Sequence, residues 1–95
     1  MKVLYAEFTA LPGCAEQVAI LVDHLTVDVR REPGNLAFSP YRRSGSAHRY
    51  IVFEQYADDD AFHAHVTAQH TVRFNSRLSS LVEGQGSVLS WLEPC

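Results

Sequence analysis

The most restrictive feature of this sequence is a pair of strand-like segments that are apolar without interruption. Val3-Leu4-Tyr5-Ala6 forms the first segment and Tyr50-Ile51-Val52-Phe53 the second. Side chains of a strand point alternately to the two faces of its sheet, so these strands are apolar on both faces and both faces need cover. The chain must therefore form a sheet that is sheltered on each side.

Periodicity along the chain alternates between strand-like and helix-like. The predicted elements are a strand from Lys2 to Ala10, a helix from Cys14 to about Arg31, strands from Leu36 to Arg42 and from Arg49 to Tyr56, a helix from about Asp59 to Leu81, and a strand from Ser87 to Leu92. Short segments rich in glycine, proline and serine separate them. With right-handed crossovers, this β-α-β-β-α-β order predicts an α+β, ferredoxin-like fold whose four-stranded antiparallel sheet carries both helices on one face.

The second helix has an unusual apolar spacing. Its apolar stripe recurs every four residues, at Phe62, Val66, His70, Phe74 and Leu78. Because such a spacing advances about 40° per step around a straight helix, we expect a break or bend near Gln69–Thr71. The first helix has an ordinary stripe, made of Val18, Leu21, Val22, Leu25 and Val29.

Length and patterning together predict self-association. At 95 residues the chain has room for a single domain, residues 1–95. Two helices cover only one face of the sheet, and the sheet of a second copy is the best cover for the other face. We therefore expect a homodimer.

Charge and hydropathy exclude several classes of partner. The net charge of −3 is spread along the chain, whereas a nucleic-acid surface would require a clustered basic face. The dense basic group of Arg42, Arg43, His48 and Arg49 is interpreted as a solvated hairpin tip around Ser-Gly-Ser. No apolar run approaches the roughly 20 residues of a membrane span. The amino terminus lacks the layout of a signal peptide, so we expect a cytoplasmic protein.

Four segments resemble a known family. They are Phe8-Thr9-Ala10-Leu11-Pro12-Gly13, Arg31-Glu32-Pro33-Gly34-Asn35, Val52-Phe53-Glu54-Gln55-Tyr56, and Ala61-Phe62 followed by His65, His70 and Phe74. Over nearly its whole length, the sequence thus resembles the antibiotic biosynthesis monooxygenase family. The resemblance implies a dimeric α/β barrel that oxidises a small electron-rich aromatic, such as a quinol or anthrone, with O2 and without metal, flavin or other cofactor. Fold carries over within such a family more readily than chemistry.

Two histidines are the candidate catalytic residues. Imidazole titrates closest to neutral pH, which suits the removal of a phenolic proton. His70 lies on the apolar stripe and is predicted to face inward, and His65 is predicted to lie beside the same pocket. The alternative is a hydrogen-bonded core histidine at position 70 and a half-exposed one at position 65. His24 and His63 are interpreted as solvent-facing.

Aromatic residues are the candidate lining of a substrate pocket. The predicted substrate-binding residues are Tyr5, Asn35, Phe38, Tyr50, Phe53, Phe62, Phe74 and Trp91. An alternative is that most of the aromatic residues are simply core and that Asn35 serves its turn. Glu54 and Glu7 lie in apolar strands, where either could orient a histidine or act as a base. An ion pair at an edge or dimer interface is the favoured interpretation of both.

The same candidate residues bear on four alternative functions. Metal binding is disfavoured, because His63 and His65 are two residues apart and His65 and His70 five apart, so neither pair would share the face of a straight helix. Haem-degrading relatives share an Asn, Trp and His set, but here Glu7 or Phe8, His65 and Asn75 stand at its places, so haem degradation is disfavoured. A sugar-phosphate isomerase would require a basic phosphate clamp, and the presumed pocket shows no clear one. A dimeric binding protein without turnover remains an open alternative to the monooxygenase.

Overall fold

The chain forms the elements that its periodicity predicts, with the last helix divided in two. The computed structural model describes residues 1–84 and 86–95. Its elements are β1 (Lys2–Thr9), α1 (Ala15–Arg30), β2 (Asn35–Arg42), β3 (Arg49–Tyr56), α2 (Asp59–Thr67), α3 (Gln69–Leu78) and β4 (Val88–Leu92). The strands form one antiparallel sheet in the order β2-β3-β1-β4, which confirms the α+β, ferredoxin-like fold.

The expected interruption of the second helix lies at Ala68, one residue before the predicted range. Ala68 has an extended backbone, with φ of −62° and ψ of 142°, and it ends α2 and begins α3. The predicted end at Leu81 is wrong, since α3 stops at Leu78 and the chain then turns. Gln85, in the predicted glycine-rich turn, lies outside the described residues.

Alternation along the two central strands decides which side chains face the helices. The pairs Leu4–Glu54, Ala6–Val52 and Phe8–Tyr50 of β1 and β3 are all buried. Val22 and Val29 of α1 and Phe74 and Leu78 of α3 join this face to form the core. Removal of a fully buried leucine side chain such as that of Leu78 would cost about 2–5 kcal/mol.

The opposite face of the sheet carries a second apolar surface. Tyr5 pairs with Phe53, and Glu7 pairs with Ile51, and these four side chains are only partly buried. Tyr41, paired with Ile51 from the other side, is 63 % exposed. The helices therefore cover one face of the sheet, as the patterning predicts. Among the described residues, no helix is both long enough and apolar enough to cross a membrane.

Candidate functional site

A cavity of about 320 Å³ lies between the sheet and the helices. Its lining is mainly apolar, with a few polar side chains, as is typical of small-molecule sites, and its volume is at the small end of their range. The lining residues are Leu4, Ala6, Phe8, Val22, Leu25, Phe38, Val52, Glu54, Phe62, His65, Val66, Thr71, Phe74, Asn75, Gly86, Ser87 and Leu89.

His65 is the buried imidazole of this cavity. It lies near the carboxyl end of α2, is 6 % exposed, and packs against the rings of Tyr56 and Phe62 at centroid distances of 4.8 and 6.0 Å. Its Nδ1 lies 3.0 Å and 3.2 Å from the two carboxylate oxygens of Glu32. When Nδ1 carries the ring proton and donates to Glu32, Nε2 is left as the acceptor.

Glu32 is held by the turn that follows α1. Its backbone N–H donates to Val29, and its carbonyl accepts from Asn35 at 3.1 Å. A Cβ at Gly34 would overlap the side chain of Ala61, so only glycine allows this turn to pack directly against α2. The sequence Glu-Pro-Gly-Asn therefore places the Glu32 carboxylate beside the helix that carries His65.

The interruption at Ala68 brings His70 to the same carboxylate. His70 Nε2 lies 2.6 Å from Glu32 Oε2, close enough for a charge-assisted hydrogen bond. The His70 side chain is 25 % exposed and lines an outer groove between α1 and α3 instead of the cavity. The prediction that His70 faces inward with Phe74 is thus wrong, because the break changes the direction of the helix after Thr67.

Glu54 projects from β3 into the cavity and is almost fully buried. Tyr56 Oη donates to Glu54 Oε1 at 2.7 Å, and His65 Nε2 lies 3.6 Å from the same oxygen. Burial raises the pKa of Glu54 from 4.5 to about 7, the Tyr56 hydrogen bond lowers it, and the Glu32 charge adds to the rise. The interpretation of Glu54 as an edge or interface ion pair is wrong, because its carboxyl group faces the cavity side of the sheet. Glu7 lies on the opposite face.

Burial also shifts the pKa of His65. Desolvation lowers this pKa below its ordinary value of 6.5, and the hydrogen bond and charge of Glu32 oppose the shift. A neutral imidazole therefore predominates at pH 7, beside a carboxyl group that is close to half-protonated. The environment thus moves the two pKa values in opposite directions, which is a common feature of acid–base sites.

The predicted aromatic lining divides between the two faces of the sheet. Phe38, Phe62 and Phe74 line the cavity. Tyr5 and Phe53 lie on the opposite face, because each alternates along its strand with cavity-lining residues. Within one chain, therefore, neither Tyr5 nor Phe53 reaches the cavity.

Three further predicted binding residues lie beside the cavity without lining it. Tyr50 stacks on Phe8 with a centroid distance of 5.3 Å. Trp91 packs edge-on against Phe62 at 4.9 Å and is 49 % exposed. The Asn35 amide donates to the carbonyl of Ala37 at 3.0 Å, so its side chain serves the bulge at the start of β2.

Two polar side chains of α3 line the cavity although the sequence did not single them out for binding. Thr71 is buried, and among the described residues no group hydrogen-bonds to its hydroxyl. An unpaired buried hydroxyl is costly, so a ligand oxygen or nitrogen at this position would be stabilising. Asn75 lies one helical turn further along and adds an amide to the same wall.

Glu32 is the principal site residue that the sequence did not reveal. The sequence shows it as part of the family-like segment Arg31-Glu32-Pro33-Gly34-Asn35, where Pro33 and Gly34 dominate the pattern and nothing indicates a site role for its carboxylate. The expected break near Gln69–Thr71 was the available signal, since it allows His65 and His70 to converge. Glu32, His65 and His70 each offer one metal-ligand atom, and these atoms lie within 4.8 Å of one another. The spacing argument against a metal fails because the helix is interrupted.

Comparisons with known proteins agree with the fold. The sequence profile described as antibiotic biosynthesis monooxygenase matches residues 1–77. No curated protein sequence matches the chain significantly. Among solved structures, PA3566 from Pseudomonas aeruginosa is 26% identical, with a TM-score of 0.91 over 99% of this chain and 93% of its own.

Two further structures are similar in fold. Rv0793 from Mycobacterium tuberculosis is 19% identical and has a TM-score of 0.91 over 99% of this chain and 94% of its own. A protein described as an antibiotic biosynthesis monooxygenase is also 19% identical, with a TM-score of 0.92 over 100% of this chain and 99% of its own. Since the profile match spans most of the sequence, this chain belongs to the antibiotic biosynthesis monooxygenase family.

Proposed function

We propose that this protein is a cofactor-independent monooxygenase that oxidises a small electron-rich aromatic, of the quinol or anthrone type, with O2. The observation that carries the proposal is a buried imidazole, His65, which lines a largely apolar cavity and is held by a carboxylate outside it. Family membership supports the reaction class.

His65 is the proposed base. Glu32 accepts from Nδ1 and so keeps the lone pair on Nε2, the ring nitrogen on the side of Glu54. When Nε2 takes the substrate's proton, from a phenolic O–H or from an activated CH2, the resulting imidazolium lies 3.0 Å from the Glu32 carboxylate, which stabilises it. A phenol titrates near 10 in water, so a base near neutrality together with stabilisation of the phenolate is required.

Glu54 is the proposed hydrogen-bond donor to the developing anion. With a pKa of about 7, an appreciable fraction of Glu54 is protonated at neutral pH. A carboxylic acid in a low-dielectric site can donate to an oxyanion there. Tyr56 already donates to Oε1, which leaves Oε2 as the oxygen that carries the proton.

The substrate supplies the electrons for this reaction. At an activated CH2 carbon of anthrone type, deprotonation gives a carbanion–phenolate that reduces O2 and forms a C–O bond. One oxygen atom becomes the new carbonyl oxygen, and the other leaves as water with the two hydrogens of that carbon. The protein binds the aromatic ring, excludes water and handles the protons, for which Phe38, Phe62 and Phe74 provide a suitable wall.

The cavity lining also bears on the alternative functions. Among the described residues that line it, none is lysine or arginine, which argues against a sugar-phosphate substrate. The free Thr71 hydroxyl and the Asn75 amide favour a ligand with a second polar atom away from His65. A binding protein without turnover would use the same apolar wall, and an oxygen-uptake assay distinguishes it from an enzyme.

A homodimer is part of the proposal. The outer face of the sheet presents Tyr5, Ile51 and Phe53 as a partly buried apolar strip, flanked by Tyr41 and by Val88, which is 65 % exposed. Contiguous exposed apolar surface of this kind is typical of protein–protein interfaces. A second copy that presents the same strip would cover it with twofold symmetry.

The test is oxygen uptake by metal-stripped protein with 1,4-dihydroxynaphthalene and with anthrone, with 18O2 used to follow oxygen into the product. His65→Gln should lower the rate about 100-fold or more, because an amide cannot accept the proton. His63→Gln, an exposed change on the same helix, should match the parent. Equal rates for the His65→Gln variant and the parent would refute the assignment of the base. Ligand-induced stabilisation without product would instead identify a binding protein.

A further inference from the structure

We propose that Glu32, His65 and His70 bind one divalent transition-metal ion, of the Zn2+ class, in a site that opens to the groove between α1 and α3. This inference goes beyond the proposed oxygenase and does not require it. The three ligand atoms are Glu32 Oε2, His65 Nδ1 and His70 Nε2, and all of them belong to side chains that are buried or partly buried.

The ligand set suits such an ion. Two imidazole nitrogens and one carboxylate oxygen are common ligands of Zn2+, and the hard cations Mg2+ and Ca2+ prefer oxygen alone. Two neutral imidazoles and one carboxylate also give the site a charge of −1, which favours a divalent cation. Three protein ligands leave at least one coordination position for water or another small ligand.

The separations between the ligand atoms are close to what coordination requires. With bonds of about 2.0–2.2 Å, ligand atoms of a tetrahedral zinc site lie roughly 3.3 Å apart. Glu32 Oε2 lies 3.0 Å from His65 Nδ1 and 2.6 Å from His70 Nε2. The whole set lies within 4.8 Å, so an inward rotation of His70 is the principal adjustment. That side chain is 25 % exposed and has room to move.

The surroundings supply an outer shell and an access route. The other ring nitrogen of His65 lies 3.6 Å from Glu54 Oε1, slightly beyond hydrogen-bond distance, on the side where a metal-binding histidine usually has a carboxylate partner. On the solvent side, His70 lines the outer groove together with His24, Asp28 and Arg73. An ion can therefore reach the site from the groove without crossing the cavity.

Occupation of this site would have a consequence for the cavity. A metal ion bound through His65 Nδ1 places the ring proton on Nε2, so that nitrogen donates instead of accepting. The same imidazole cannot then take the substrate proton. Zn2+ is therefore expected to suppress the proposed oxygenase in proportion to its occupancy.

The test is calorimetric titration of metal-stripped protein with ZnCl2, supported by the visible absorption of Co2+ in the same site. Neither measurement needs a substrate, so failure of the proposed oxygenase leaves the result unaffected. We expect one equivalent to bind to the parent. His70→Ala and Glu32→Gln should each weaken binding by at least about tenfold, the loss seen even for outer-shell partners. His63→Ala, on the exposed side of α2, should bind as the parent does.

Two outcomes would overturn the proposal. One is the absence of saturable Zn2+ binding to the parent at sub-millimolar concentration. The other is binding that His70→Ala leaves unchanged, which would place the ion at other histidines. Thermal unfolding of each variant without metal establishes that it is folded. Should Glu32→Gln fail to fold, the partly exposed His70 gives the decisive variant.

Discussion

Replacement of Glu54 by glutamine should change how the free energy of unfolding depends on pH. Glutamine keeps the size of the side chain and an oxygen that can accept from Tyr56, but it cannot ionise. In the parent, burial makes the charged form of Glu54 unfavourable in the folded state and raises its pKa from 4.5 to about 7. The variant therefore isolates the cost of holding this carboxylate in the cavity.

The direction and size of this pH dependence follow from the pKa values of Glu54 in the unfolded and folded states. Between 4.5 and about 7 the folded protein holds more protons at this position than the unfolded chain, so the free energy of unfolding falls as pH rises. The stabilising contribution is complete below pH 4.5 and lost above pH 7. At about 1.36 kcal/mol per pKa unit, the loss approaches roughly 3 kcal/mol, of which about 2.5 kcal/mol falls between pH 5 and pH 8.5. Glu54→Gln should lack this loss.

The assay is urea unfolding of parent and variant at pH 5 and pH 8.5, at one fixed protein concentration because dimerisation would also contribute. The difference in free energy of unfolding, Glu54→Gln minus parent, should increase by about 2–3 kcal/mol from the lower to the higher pH. Glu7→Gln on the opposite face, where the carboxylate is only partly buried, is the matched control and should show no such growth. If this difference changes by less than about 0.5 kcal/mol between the two pH values, the Glu54 pKa is not raised.

Three other consequences can be measured. In oxygen-uptake assays the parent's rate should fall below pH 6.5, as His65 becomes protonated, and above about pH 7, as Glu54 ionises. Glu54→Gln should lose only the fall at alkaline pH. If the variant keeps that alkaline fall, Glu54 is not the donor. Gly34→Ala should lower the free energy of unfolding by about 1–3 kcal/mol, because its methyl group would overlap Ala61, and an unchanged urea midpoint would contradict this packing. Phe53→Glu should convert the proposed dimer into a monomer, as measured by light scattering. Ile20→Glu, an exposed change on α1, should leave the dimer intact. If Phe53→Glu also remains a dimer, the two sheets do not form the interface.

Most of the fold could be predicted from the sequence because periodicity is a local property. The apolar segments predict β1 and β3, and the stripe at Val18, Leu21, Val22, Leu25 and Val29 predicts the side of α1 that the structure buries, although Leu21 is only partly buried. Boundaries were less accurate. The end of α3 at Leu78 depends on the turn that connects Leu81 and Val82 to β1, and such long-range contacts leave little trace in local spacing.

The site was only partly predictable because it is assembled from distant segments. His65 could be assigned to the pocket from its place beside an apolar stripe. Glu32 lies 33 residues before His65, in a segment whose sequence is dominated by turn signals. The direction of His70 depends on the backbone of Ala68, which extends instead of continuing the helix. A straight-helix projection therefore gave the wrong orientation for His70 and the wrong argument about metal ligands.

Aromatic character alone did not distinguish the two faces of the sheet. Phe38 and Phe53 lie in neighbouring strands and have equal hydrophobicity, yet only Phe38 lines the cavity. The pairing register determines which face each ring occupies. Phe38 pairs with Glu54 and shares its face, whereas Phe53 precedes Glu54 along β3 and therefore points to the opposite face. A list of aromatic residues therefore mixes cavity residues with those of the proposed interface.

The proposed chemistry requires His65 to be neutral at pH 7, with its proton on Nδ1 and a free acceptor at Nε2. Nitrogen-15 NMR of histidine-labelled, metal-stripped protein measures both the tautomer and the pKa. We expect His65 to titrate below pH 6.5 and its neutral form to carry the proton on Nδ1. A His65 that is still cationic at pH 7, or whose neutral form carries the proton on Nε2, cannot be the proposed base.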